Sequence, residues 1–187
     1  MSKKDLVVSL QYIIDTVNDA LEKKANRAAF ISALTIPDIC AQIQYSRNYI
    51  SKHDNNEYYA KWYDENVYVY ENPPGAQMNQ LSGDVVYLLR CKMFHEGSVD
   101  HRSVINKLRC KYAVLSAEKY KEDFPDGVDI DFKINMFSEY ESISVGYSHE
   151  LIGHKIIKVQ VNVNQTELAK KLMWNAEGVI REFNKKI

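Results

Sequence analysis

The sequence predicts an α+β fold: an N-terminal helical bundle followed by a small C-terminal antiparallel sheet and a terminal helix. Three observations carry this. Up to residue 97 apolar residues recur mostly at three- and four-residue steps, the repeat of amphipathic helices. From residue 130 to residue 163 they alternate with polar residues, the repeat of half-buried strands. After residue 164 the helical step returns. No linker, internal repeat or low-complexity tract divides the 187 residues, so 1–187 reads as one domain. Its helical part spans 1–97, and 110–187 holds the strands and the last helix.

Leu6, Leu10, Ile13, Ile14, Val17 and Leu21 form the stripe of the first helix, with Ser2 as its cap and Asp5 favouring its N-terminal dipole. Residues 27–34 read as a second helix. Ile36-Pro37 then forces a break, after which Pro37 opens a short helix to Ile43. The polar run from Ser46 to Asn56 reads as a loop. A tyrosine-rich helix spans 57–70, with Tyr59, Trp62, Tyr63, Val67 and Tyr70 on its inner side, and Asn72-Pro73-Pro74-Gly75 ends it. Ser82 caps the next helix, which runs to His95, with Gly97 as its C-cap.

In the C-terminal part Ile130, Phe132, Ile134 and Met136 mark one strand. Ile143, Val145 and Tyr147 mark a second, and Ile157, Val159, Val161 and Val163 a third. His149 to His154, with Gly153, suits a hairpin loop, and Tyr112 to Leu115 suits a further strand. Asn164 with Glu167 starts the last helix, striped by Leu168, Leu172, Ala176, Val179, Ile180, Phe183 and Ile187.

Composition narrows the function. A net charge of −1 supplies no global field toward nucleic acid or anionic lipid, so any polyanion must be held by a local patch. The longest apolar run, Val85 to Leu89, is too short for a bilayer, and the first residues do not lead into a signal-peptide core. A cytoplasmic protein without a membrane partner is expected. The cysteines Cys40, Cys91 and Cys110 have no metal-ligand spacing among themselves and read as reduced thiols.

The segment from Val85 to Phe94 carries only two charges, Arg90 and Lys92, and should be buried on most sides. Lys92 can snorkel outward, whereas a buried guanidinium at Arg90 requires an anion facing it. That anion is either a protein carboxylate, with Asp64 and Glu65 the nearest candidates on the tyrosine-rich helix, or the phosphate of a ligand. His95 closes the helix, giving Arg90-Cys91-Lys92-Met93-Phe94-His95.

This Arg-x4-His arrangement resembles the signature of the HEPN superfamily of helical domains. The chain as a whole is also similar to a group of small bacterial proteins, a likeness that implies no activity. Cys91 departs from the Asn, Asp or His common after the arginine in that superfamily, and a C-terminal sheet is no part of its bundle. The HEPN resemblance implies a metal-independent ribonuclease or RNA-binding protein of toxin or defence type, with its site shared across a homodimer. Arg90 would hold the scissile phosphate and His95 would move protons. On an ideal helix the two lie roughly 140° apart, so one copy does not naturally converge them.

Around this pair, Tyr87, Cys91, His101 and Arg102 are candidate binding residues. Cys91 and His95 share a face with Tyr87, but two ligands do not make a metal site, and neither metal nor cofactor is expected. His149 and His154 read as surface residues. The lysines and arginines between 107 and 121 are diluted by Glu118, Glu122 and Asp123. The 13 tyrosines suit core and interface packing better than base stacking. The competing expectation is a non-catalytic protein-interaction domain, in which Arg90 and His95 are structural and the tyrosine-rich helix meets a protein partner.

Overall fold

The computed structural model describes residues 2–71, 81–96, 102–108, 110, 129–137, 149–152 and 156–185. Helix α1 (Lys3–Glu22) begins with the reciprocal cap its sequence signals. Ser2 Oγ accepts from the Asp5 amide at 3.1 Å, and Asp5 accepts from the Ser2 amide at 2.9 Å. It ends without glycine. Lys24 takes a left-handed conformation, φ 56°, while the Lys24 and Ala25 amides close back onto Leu21 and Ala20.

Helices α2 (Asn26–Ala33) and α3 (Ile36–Gln44) form as expected, with Pro37 in the first turn of α3. The polar run beyond them is more ordered than a loop. Ser46 caps a short helix α4 (Arg47–Ile50), the His53 ring stacks on Tyr49 at 3.9 Å, and the Lys61 ammonium lies 4.9 Å from the Tyr49 ring centre. Side chains able to bond or stack locally organise a segment that has no apolar periodicity.

The tyrosine-rich segment is not one regular helix. Helix α5 (Asn55–Tyr63) passes into a π-helical turn (Asp64–Tyr68) and then a short α6 (Val69–Glu71). The Val69 amide reaches back to the Asp64 carbonyl, five residues earlier. Such a turn accommodates one extra residue, so the side chains beyond it are rotated by roughly 100° about the helix axis. Tyr59, Trp62, Tyr63 and Val67 are buried as expected, but Tyr70 is 76% exposed, against the inward position its spacing predicts.

Helix α7 (Gly83–Glu96) packs on α5, and residues 102–108 form a further helix, α8, whose Val104 and Leu108 are fully buried. Strands β1 (Asp129–Phe137), β2 (His149–Ile152) and β3 (Ile156–Asn164) pair in the order β1-β3-β2. The pairing corrects the antiparallel expectation. β2 runs antiparallel to β3, but β1 runs parallel to it, Asp129 beside Ile156 and Phe137 beside Asn164. A two-residue repeat fixes which face a residue takes and leaves direction to the connection, and the chain between β1 and β3 is long enough for a crossover. Residues 149–152, expected in a hairpin loop, form β2. The strands expected at 112–115 and 143–147, the C-cap Gly97 and the loop at 72–75 lie outside the described residues.

β3 runs directly into α9 (Gln165–Asn184), where Asn164 caps the Glu167 amide at 3.2 Å. This last helix belongs to the bundle, packing on α1, α2, α3 and the π turn. Leu10, Phe30, Leu34, Ile36, Tyr59, Trp62, Leu89 and Leu172 share one core. Two hydrogen bonds tie its aromatic residues in place: Tyr59 Oη donates to the Leu34 carbonyl at 2.8 Å, and Trp62 Nε1 to Gln44 Oε1 at 2.6 Å.

Gly83 sets how closely α7 approaches α5, because a Cβ there would overlap the Ala60 backbone. Gly83→Ala should therefore destabilise the fold by about 1–3 kcal/mol despite alanine's better helix propensity, read as a lower urea midpoint at unchanged slope.

Candidate functional site

The guanidinium of Arg90 meets a protein carboxylate, and it is neither of the two anticipated. Arg90 Nη2 lies 3.3 Å from Oδ2 of Asp38 in the first turn of α3. Asp64 is engaged elsewhere: its Oδ1 accepts from the Gly83 amide at 2.7 Å, serving the N-terminus of α7. Glu65 accepts from the Tyr45 hydroxyl at 2.7 Å and lies 3.7 Å from Lys61. Asp38 carries no sequence signal beyond a favourable charge at a helix start, which is why it was missed.

Asp38 is the hub of a half-buried polar cluster joining α3, α5 and α7. Its Oδ2 also accepts from Asn55 Nδ2 at 3.4 Å, and its Oδ1 from Gln42 Nε2 at 3.3 Å. The side chains of Arg90 and Asp38 are 23% and 15% exposed. The Arg90 guanidinium lies 5.8 Å from the Tyr87 ring centre and 5.7 Å from that of Phe94. Among the described residues its Nε and the Asn55 Oδ1 are buried without hydrogen-bond partners. Burial, then the Asp38 carboxylate, push the Tyr58 phenol from its ordinary 10.0 up to about 12.

Of the other sequence-derived candidates, Tyr87 borders this cluster through its ring contact with Arg90, and His95 and Arg102 do not reach it. Tyr87 and Cys91 sit half-buried on the same face of α7, and burial, followed by Cys91, raises the Tyr87 phenol. His95 is exposed at the end of α7 and makes no hydrogen bond, ion pair or ring contact among the described residues. Arg102 is exposed at the start of α8, and His101 lies outside the described residues. Among the described residues no cluster of three or more His, Cys, Asp or Glu side chains is arranged to hold a metal ion. No helix among them is long and apolar enough to cross a membrane.

A second feature lies beside the π turn. Asn66, Val67 and Tyr70 face Lys171, Trp174 and Asn175 of α9 across a cleft of about 260 Å³. Trp174 is 53% exposed. It falls off the apolar stripe of α9, and an aromatic residue in that position was the available sequence signal. No protein-family model matches the chain, and no curated protein or solved structure is significantly similar to it.

Mutation and pH both probe this arrangement. If Asp38 and Arg90 lock α3 to α7, Arg90→Ala and Asp38→Ala should each cost about 1–3 kcal/mol, with a coupling of about 1 kcal/mol in the double-mutant cycle. The phenols of Tyr45, Tyr58, Tyr59 and Tyr63 are all raised, chiefly by burial. Groups whose pKa is raised in the folded state contribute stability that is complete below the unfolded value and lost as pH climbs toward the folded one. Thermal midpoints should thus fall steeply above about pH 10, with tyrosinate absorbance appearing in step with unfolding.

Proposed function

We propose that the chain is a non-catalytic interaction domain in which Arg90 is a structural cation. The ion pair with Asp38 carries this reading. An arginine that recognises phosphate is most effective with its fork open to the ligand, whereas this one already faces a carboxylate inside its own bundle. His95 stands apart from it, exposed at the end of α7. Exposed aromatic side chains, among them Tyr70 at the α6 end of the tyrosine-rich segment and Trp174 on α9, offer a surface suited to a protein partner.

A second reading is supported by the unpartnered Arg90 Nε and by the part of that side chain still open to solvent. In it the chain is a HEPN-like, metal-independent ribonuclease or RNA-binding protein of toxin or defence type. A homodimer brings Arg90 of one copy near His95 of the other, Arg90 exchanges Asp38 for a phosphate, and His95 transfers the proton. Both readings place the protein in the cytoplasm.

Incubating the full chain with mixed cellular RNA in EDTA separates them. Intact RNA at any protein excess, with Arg90→Ala less stable than the parent, is the result expected of a structural arginine. Cleavage that His95→Ala abolishes while its thermal midpoint is unchanged would establish the nuclease instead.

A further inference from the structure

We infer that the Asp38 hub binds an internal water molecule, which accepts from the Nε–H of Arg90 and donates to Oδ1 of Asn55. The inference goes beyond the interaction reading and concerns the free protein, whatever partner it meets. Polar-atom accounting is the first argument. Among the described residues Arg90 Nε and Asn55 Oδ1 are the two atoms of this cluster buried without a hydrogen-bond partner. The first can only donate and the second can only accept. Folded proteins rarely leave such buried groups unpaired, and ordered water is a regular partner for those that other side chains do not reach. Turning the Asn55 amide over is no remedy. Its Nδ2 now donates to Asp38 Oδ2 at 3.4 Å, and the reversed amide would set its oxygen against that carboxylate.

Position and bond length agree with this. Both side chains reach the same atom, Asp38 Oδ2, through Arg90 Nη2 at 3.3 Å and Asn55 Nδ2 at 3.4 Å. In each group a single carbon joins the bonded nitrogen to the unpaired atom, so both unpaired atoms lie beside that one oxygen. A charge-assisted N–H···O bond to a carboxylate ordinarily contracts to about 2.7–2.9 Å. The Arg90 contact is single and longer, as is that of Gln42 at 3.3 Å, so the guanidinium keeps capacity for a further oxygen. The chemistry of the two atoms selects which oxygen. An anion would satisfy Nε but offers no hydrogen to Oδ1, and its charge would meet that of Asp38. Water accepts from one atom, donates to the other and keeps a hydrogen for a third acceptor, the usual number of bonds for an internal water. Asn55 opens α5 and Arg90 lies on α7, so this water bridges two helices beside the carboxylate of a third.

The test is magnetic cross-relaxation between water and the isotope-labelled full chain, with the Arg90 Hε proton assigned through bonds from its own backbone so that no variant is needed. A cross-peak between Hε and the water line is expected. It should share the sign of the diagonal in the laboratory-frame spectrum and take the opposite sign in the rotating-frame one, the mark of dipolar contact with a held water molecule. The side-chain amide protons of Asn55 should show the same pair of signs. A high-resolution crystal structure should place a water about 2.7–3.2 Å from both Arg90 Nε and Asn55 Oδ1. Absence of the Arg90 cross-peak overturns the inference. So does a cross-peak of one sign in both spectra, which reports proton exchange with bulk solvent in place of a held molecule. A crystal structure in which a protein oxygen or an anion meets Nε overturns it as well.

Discussion

A guanidinium on a helix that is buried along most of its length has to meet an anion before the bundle can close around it. In this chain the anion is Asp38, and its position joins three helices. α3 presents the carboxylate from its first turn, α5 contributes Asn55 and Tyr58, and α7 brings Arg90. The contacts are single and long, from 3.3 to 3.4 Å, so the cluster acts through shared geometry and not through one strong bond. Leaving either charge alone in that setting would cost more than the pair returns, which makes the arrangement a specifier of helix register as well as a contributor to stability.

Close packing at the start of α7 complements this. Gly83 allows the helix to approach Ala60, and Asp64 accepts from the Gly83 amide at the same point. The beginning of α7 is therefore fixed against α5 by backbone contact, and its middle is fixed against α3 by charge. Between them lie Val85, Val86 and Leu89, all fully buried. A helix apolar on nearly all sides has no stripe to orient it, and these two anchors supply the orientation.

Most of the helical architecture was legible because strong apolar periodicity and caps coincide, as at Ser2 with Asp5 and at Asn164 with Glu167. Strand positions were legible too for β1 and β3, but not their relative direction, which alternation does not encode. The need for a counter-ion at Arg90 could be read from one charge among apolar neighbours; its identity could not. Asp38 lies 52 positions away on another helix, and contacts at that separation depend on how α3 and α7 are brought together. Tyr70 was misplaced for a local reason. Five residues, Asp64 to Tyr68, depart from the 3.6-residue step, and nothing in their side chains announces it.

That departure has a bearing on how the protein can change over time. A π turn is what remains when a regular helix accepts a single inserted residue without unravelling, so removing one codon between Asp64 and Tyr68 would let the regular step resume and swing Tyr70 back toward the hydrophobic interior. Two neighbouring forms therefore lie within one deletion of each other: a plain regular helix, and the present one, which keeps an aromatic ring on its outer surface.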